Sequence, residues 1–128
     1  MKEKEIRVLM VAPMEPPKLV TLKNDLDSLQ KAVSIGAPEQ GLIELVHIED
    51  NVYCLGNEEA KIIGLPANRY LGNDIICGTF YVVGDDEDGN LTSLTPEQIE
   101  KYSEFFGHVD QISNEEVDSR LIVRFYSL

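Results

Sequence analysis

The sequence contains no tryptophan, only two cysteines and two histidines, and 11 basic side chains against 23 acidic ones. Each shortage closes off a class of function. The formal net charge of −12 repels polyanions, because binding them draws on Lys and Arg to release counterions. No direct contact with nucleic acid is expected. Cys54 and Cys77 stand apart in apolar, strand-like runs, which fits reduced, buried thiols rather than a disulfide framework. Neither has a Cys or His two to four positions away, so no structural metal is expected. No apolar run approaches the roughly 20 residues that cross a bilayer. The opening Met1-Lys2-Glu3-Lys4-Glu5-Ile6 also lacks the apolar stretch and cleavage site of a secretory leader. A cytoplasmic protein without membrane contact is expected. Glycine-rich phosphate loops are missing as well: no GxGxxG and no GxxxxGK[ST] occurs. No nucleotide enzyme and no cofactor is expected.

What is present is an ordinary globular composition, 43% hydrophobic and 27% charged over 128 residues. A chain of that size suffices for one core, so residues 1–128 read as a single domain.

Ile6 to Val11 reads as a first, central strand, and Leu19 to Leu22 as a second after the extended Pro16-Pro17. Asn24 or Asp25 caps a helix near 25–34 whose Leu26, Leu29 and Val33 repeat at helical spacing. Leu42–Ile48 and Val52–Leu55, separated by Glu49-Asp50-Asn51, form a hairpin. Lys61-Ile62-Ile63 has the composition to pair back, whereas Gly64 to Tyr70 is too punctuated for regular structure and reads as a loop. Ile75 to Val83 is the longest strand-like run, interrupted by Gly78. Thr95-Pro96-Glu97-Gln98 opens a helix over 96–106 with a capping box and Pro at the first position. A turn begun by Ser113 leads to a last strand, Arg120 to Tyr126. The fold class that follows is α+β: a mixed, mostly antiparallel sheet of five to seven strands, with the two main helices packed on one face. An exposed edge or the last strand could pair with a second copy, so a homo-oligomer is allowed for.

Candidate sites are few. Asp86, Asp88, Asn90 and Glu97 fall on ligand positions of a calcium loop, but Leu91 stands where that loop needs glycine, so Asp85 to Asn90 reads as a solvated turn. His47 and His108 have no triad or metal-pair neighbours, and Cys54 sits among apolar residues that predict a buried thiol of raised pKa. A polar set remains in apolar surroundings: Asn57, Glu58, Asn68, Arg69, Asp74 and Thr79, with Glu59 in the same turn as Glu58. Arg beside Asn offers a planar fork and an amide to an anionic or amide-bearing ligand. Equally, Arg69 could pair with Glu58, Glu59 or Asp74 to hold the loop down.

Three readings follow. The first is a non-enzymatic domain that holds a small polar or nucleotide-like ligand on that set. The second is an acidic protein-interaction module, an inhibitor or nucleic-acid mimic, that blocks a host defence or DNA-binding protein through Asp85, Asp86, Glu87 and Asp88, with Glu115, Glu116 and Asp118. The third is a small hydrolase with Glu58 or Asp74 as base, for which no catalytic constellation is present.

The chain also carries words of a known family. Asn57-Glu58-Glu59-Ala60-Lys61, Gly64-Leu65-Pro66-Ala67-Asn68-Arg69, Asp74-Ile75-Ile76-Cys77-Gly78-Thr79-Phe80 and Ser93-Leu94-Thr95-Pro96-Glu97-Gln98 resemble a family of small proteins known as a domain of unknown function. Glu15-Pro16 and Leu26-Leu29-Gln30 extend the resemblance to about Phe106. It implies a setting among gut bacteria, their phages and conjugative elements, near antirestriction genes, and a part in countering host defence. It implies no activity, cofactor or catalytic residue. Ala60 stands where glycine is typical of the family's turn.

Overall fold

The computed structural model of the protein describes residues 2–118. In chain order the main elements are β1 (Glu5–Val11), β2 (Lys18–Lys23), α1 (Leu26–Ala32), β3 (Ile43–Glu49), β4 (Val52–Asn57), β5 (Ala67–Leu71), β6 (Asp74–Cys77), β7 (Phe80–Asp85), β8 (Leu91–Thr92) and α2 (Pro96–Phe105). A short helical stretch at 114–118 follows, its start held by Ser113 Oγ, which accepts from the Glu116 N–H at 3.1 Å.

Strand β7 explains the architecture, because Phe80 through Gly84 are all buried. A strand without a polar face needs cover on both sides. It occupies the middle of a sheet ordered β2-β1-β7-β4-β3, with β8 also paired to β7, and every pairing is antiparallel. The expected antiparallel α+β fold is therefore the one observed.

The alternation along β7 assigns the two faces. Phe80 and Val82 join Leu9, Val11, Val52 and Cys54 on one side, which Tyr102 and Phe106 of α2 and its end close over. The Phe80 and Phe106 rings meet edge to face at 5.2 Å, an arrangement worth about 1 kcal/mol beyond area burial. Tyr81 and Val83 join Ile6, Val8 and Leu55 on the other side, closed by Leu29 of α1 and by Val33, which caps its C-terminal end. The helices thus lie on opposite faces rather than sharing one. Strands that are apolar on both sides require one cover each.

Local chemistry places the boundaries. Asp25 caps α1, accepting from Ser28 N–H at 2.8 Å, and the Thr95–Gln98 capping box forms as expected. The β3–β4 hairpin turns at Asp50-Asn51, where Asn51 takes the positive φ of 66° that Asn tolerates.

Three expectations change. Ala67–Leu71 is a strand, paired with β6 in a separate two-stranded sheet. Lys61-Ile62-Ile63 belongs to a turn over 58–64 and pairs with no strand. The long run from Ile75 to Val83 divides at Gly78-Thr79, where the chain passes from the small sheet to the large one. Gly78 has φ +73°, and a Cβ there would lie 2.9 Å from Leu65 Cδ1, so only glycine fits the crossing. The strand expected at Arg120–Tyr126 lies outside the described residues. Among the described residues no helix is long and apolar enough to cross a membrane.

Candidate functional site

A groove of about 640 Å³ opens between the β3–β4 hairpin, the 58–64 turn and β6. β3 and β4 give one wall, with Glu44, Val46 and Gly56 on it. Cys54, Cys77 and Phe80 lie buried beneath its floor, while Val46 and Ile62 expose apolar surface to it. Burial pushes the Cys54 thiol up to about 12, as its apolar neighbours predict. The Cys77 thiol is raised too, chiefly by burial. Neither is a nucleophile at neutral pH.

Asn57 ends β4 and shapes the turn. Its Oδ1 accepts from the Glu59 N–H at 2.9 Å, an Asx-turn that lets the chain reverse. Its Nδ2 is buried without a hydrogen-bond partner, and a Cβ on Gly41 would lie 2.7 Å from it. Helical-type bonds continue the turn, Ile63 N–H to Glu59 O at 3.0 Å and Leu65 N–H to Ala60 O at 3.0 Å. Ala60 is not among the residues of positive φ, so the turn has no need of glycine there. Lys61, largely buried, is ion-paired with Asp74, which leaves Glu44, Glu58 and Glu59 to set the sign of the rim.

The second half of the expected ligand set lies elsewhere. Asn68, Arg69 and Thr79 are buried. Asn68 Nδ2 donates to the carbonyls of Val11 and Gly78, both at 2.8 Å, and so ties the small sheet to the large one. Arg69 donates Nε–H to Phe106 O at 3.2 Å, Nη1–H to Asn68 O at 3.3 Å and Oδ1 at 2.7 Å, and Nη2–H to Glu15 O at 2.6 Å and Phe106 O at 3.1 Å. Those bonds match all five N–H donors of a guanidinium. Burial pulls its pKa down and the Asp110 carboxylate opposes that. The expected ion pairs to Glu58, Glu59 or Asp74 do not form; Arg69 is held by carbonyls and an amide oxygen. Its charge sits at the C-terminal end of α2, whose last turn has no basic residue of its own, where a cation is favoured by the helix dipole.

Residues 6–107 match the sequence profile of a family described as Domain of unknown function (DUF3846). The chain belongs to this family. No curated protein and no solved structure matches it. The DUF3846 span takes in both the groove and the Arg69 cluster, and its end at 107 agrees with the extent of the resemblance read from the motifs.

Within the DUF3846 span the acidic turn is partly self-contained. Asp86 accepts from the N–H groups of Asp88 at 2.9 Å and Asn90 at 3.0 Å, and those bonds hold its carboxyl below the usual range. Asp85 Oδ1 is buried without a partner, while Glu87 and Asp88 are exposed. Glu116 accepts from the Tyr70 hydroxyl at 2.6 Å, and Glu115 and Asp118 are exposed. Exposed His47 meets Tyr53 edge to face at 5.2 Å, and His108 Nε2 lies 3.7 Å from Asp110. No cluster of three metal-ligating side chains occurs among the described residues.

The groove, inside the DUF3846 span, brings together Asn57, Glu58 and Asp74 of the expected set, and adds Glu44, Val46, Lys61 and Ile62. The additions were hidden because they come from a strand and a turn that only tertiary structure makes neighbours. Ile62, 64% exposed on the groove, is the one with a local signal, an apolar residue inside a polar turn.

Proposed function

We propose that the protein is a non-enzymatic binding domain whose ligand site is the groove between the β3–β4 hairpin and β6, and whose ligand joins a positive charge to an apolar part. One observation carries this reading: exposed apolar surface from Val46 and Ile62, over a floor of buried Cys54, Cys77 and Phe80, lies beside Glu44, Glu58 and Glu59, and among the described residues the lysine on the groove, Lys61, is paired to Asp74. Apolar area supplies affinity and a few polar groups supply selection, and carboxylates select cations. A nucleotide-like ligand fits less well, since its phosphates would face those carboxylates while Arg69 is engaged inside the fold.

A protein segment presenting Lys or Arg beside apolar residues meets the same description, which joins this reading to that of an acidic interaction module. The mobile-element and counter-defence setting enters through the family resemblance of the motifs at 57–61 and 64–69; in it the partner would be a host protein.

The test is a pair of titrations of ¹⁵N-labelled protein with hexylammonium and with hexanoate. Amides at 44–46, 56–62 and 74–77 should shift with the ammonium and not with the carboxylate. Equal response to both ions, or none to either, would reject the reading.

A further inference from the structure

We infer that the groove's partner is an extended segment of another protein that adds as a strand to the free side of β3, presenting a basic residue opposite Glu44 and apolar residues opposite Leu45 and Val46. The inference rests on the groove reading above and gives its ligand a class.

The two outer strands of the main sheet are unlike. Pro16 and Pro17 lead directly into β2, and Lys18 and Lys23 stand at its ends. Proline and lysine are the usual means by which proteins blunt an edge. β3 contains neither. Among the described residues it pairs only with β4, so alternate N–H and C=O groups along its other side are available to a new strand. Leu45 and Val46 are 43% and 38% exposed in the middle of it. The register shift between His47 and Glu49 ends the regular ladder, so the open length runs from Ile43 to His47.

Side-chain alternation supplies the selection. Glu44 and Val46 both line the groove, two positions apart on one face, while Leu45 points to the other. Across an added strand, opposite charges and apolar pairs stabilise directly facing positions. Added antiparallel, as every strand of this sheet is paired, the matching segment therefore carries two apolar residues and then Lys or Arg, with the first and third entering the groove. There the basic group also meets the field of Glu58 and Glu59, and the apolar one meets the surface beside Ile62. A second copy of this chain is a poor occupant, because its net charge of −12 brings acid to an acidic rim.

The experiment uses a fluorescent peptide, Thr-Thr-Val-Leu-Lys-Thr-Thr with blocked ends, and two derivatives N-methylated on one or the other set of alternate residues, read by anisotropy with the full chain. One methylated set should weaken binding by at least roughly tenfold, a loss of about 1.4 kcal/mol, and the other should leave it nearly unchanged, because only one side of the peptide faces β3. Glu44→Lys should weaken the parent peptide on the order of tenfold and favour the version with Glu in place of Lys. Equal tolerance of both methylated sets overturns strand addition, as does a parent peptide that fails to bind while hexylammonium still shifts the groove amides. Failure of both probes removes the groove reading itself. Reversible self-association that the peptide does not dissociate would assign the edge to a second copy and overturn the inference.

Discussion

Arg69 holds the carbonyl oxygen of Phe106 from two nitrogens, Nε at 3.2 Å and Nη2 at 3.1 Å. That oxygen belongs to the residue that caps α2, one of the helix-end carbonyls that no backbone N–H satisfies. The same guanidinium reaches Glu15 O in the β1–β2 loop. Arg69→Leu leaves these buried acceptors without donors and should lower unfolding free energy by about 3 kcal/mol or more. Arg69→Lys should recover only part, having three donors and no planar fork. Urea denaturation decides the matter: an unchanged midpoint for the leucine variant would contradict the tethering role.

Gly78→Ala should cost about 2 kcal/mol, since its φ of +73° is strained for alanine and the new methyl would press on Leu65 Cδ1 from 2.9 Å. Gly72 has φ +59° with nothing near its missing Cβ, so alanine there should cost less, about 1 kcal/mol. Denaturation curves that rank the two in the opposite order would show that the Leu65 contact carries no weight.

Stability should fall at alkaline pH. Ordinary values of 9.0 for Cys and 10.0 for Tyr become about 12 for both Cys54 and Tyr81, through burial. Tyr102 is raised as well, first by burial and then by its hydroxyl bond to Glu49. Between those limits the unfolded chain has released protons that the folded one retains, so stability decreases as pH rises above about 9. Each group contributes a slope approaching about 1.4 kcal/mol per pH unit. Cys54→Ala should flatten the first part of the decline, and a wild-type midpoint constant from pH 8 to 11 would refute the assignment.

In the acidic turn, Asp86→Ala should destabilise by about 1 kcal/mol because it strips acceptors from two backbone N–H groups. Glu87→Gln, on an exposed side chain, should change stability by less than about 0.5 kcal/mol. Thermal melts of both variants compare them directly, and equal losses would mean that charge alone, not the turn's bonds, matters.

The residues that announced their structure did so through local chemistry: Thr95 and Gln98 as a capping box, Asp25 as a cap, and the Asp50-Asn51 turn between two strand-forming runs. Strand β5 was unreadable for the opposite reason. Its buried members are Asn68 and Arg69, and a polar residue inside a core looks from sequence like a residue in a loop. Apart from their bonds to each other, their partners are 10 to 57 residues away, beyond any local pattern. The helices could not be assigned to faces because strands such as β7 are apolar on both sides, and alternation then carries no direction. Of the expected site, Asn57 and Glu58 were legible as a polar turn, whereas the link to Glu44 and Val46 depends on the β3–β4 register.

The contrast between β2 and β3 also bears on stoichiometry. A molecule with two open edges can pass strand pairing from copy to copy and grow into a filament, since a head-to-tail contact that fails to close has no natural end. Here Pro16, Pro17 and the flanking lysines seal the β2 side. A strand accepted at β3 would fill the edge of the main sheet that is left open among the described residues, and a one-to-one complex is the largest assembly that this contact alone could build.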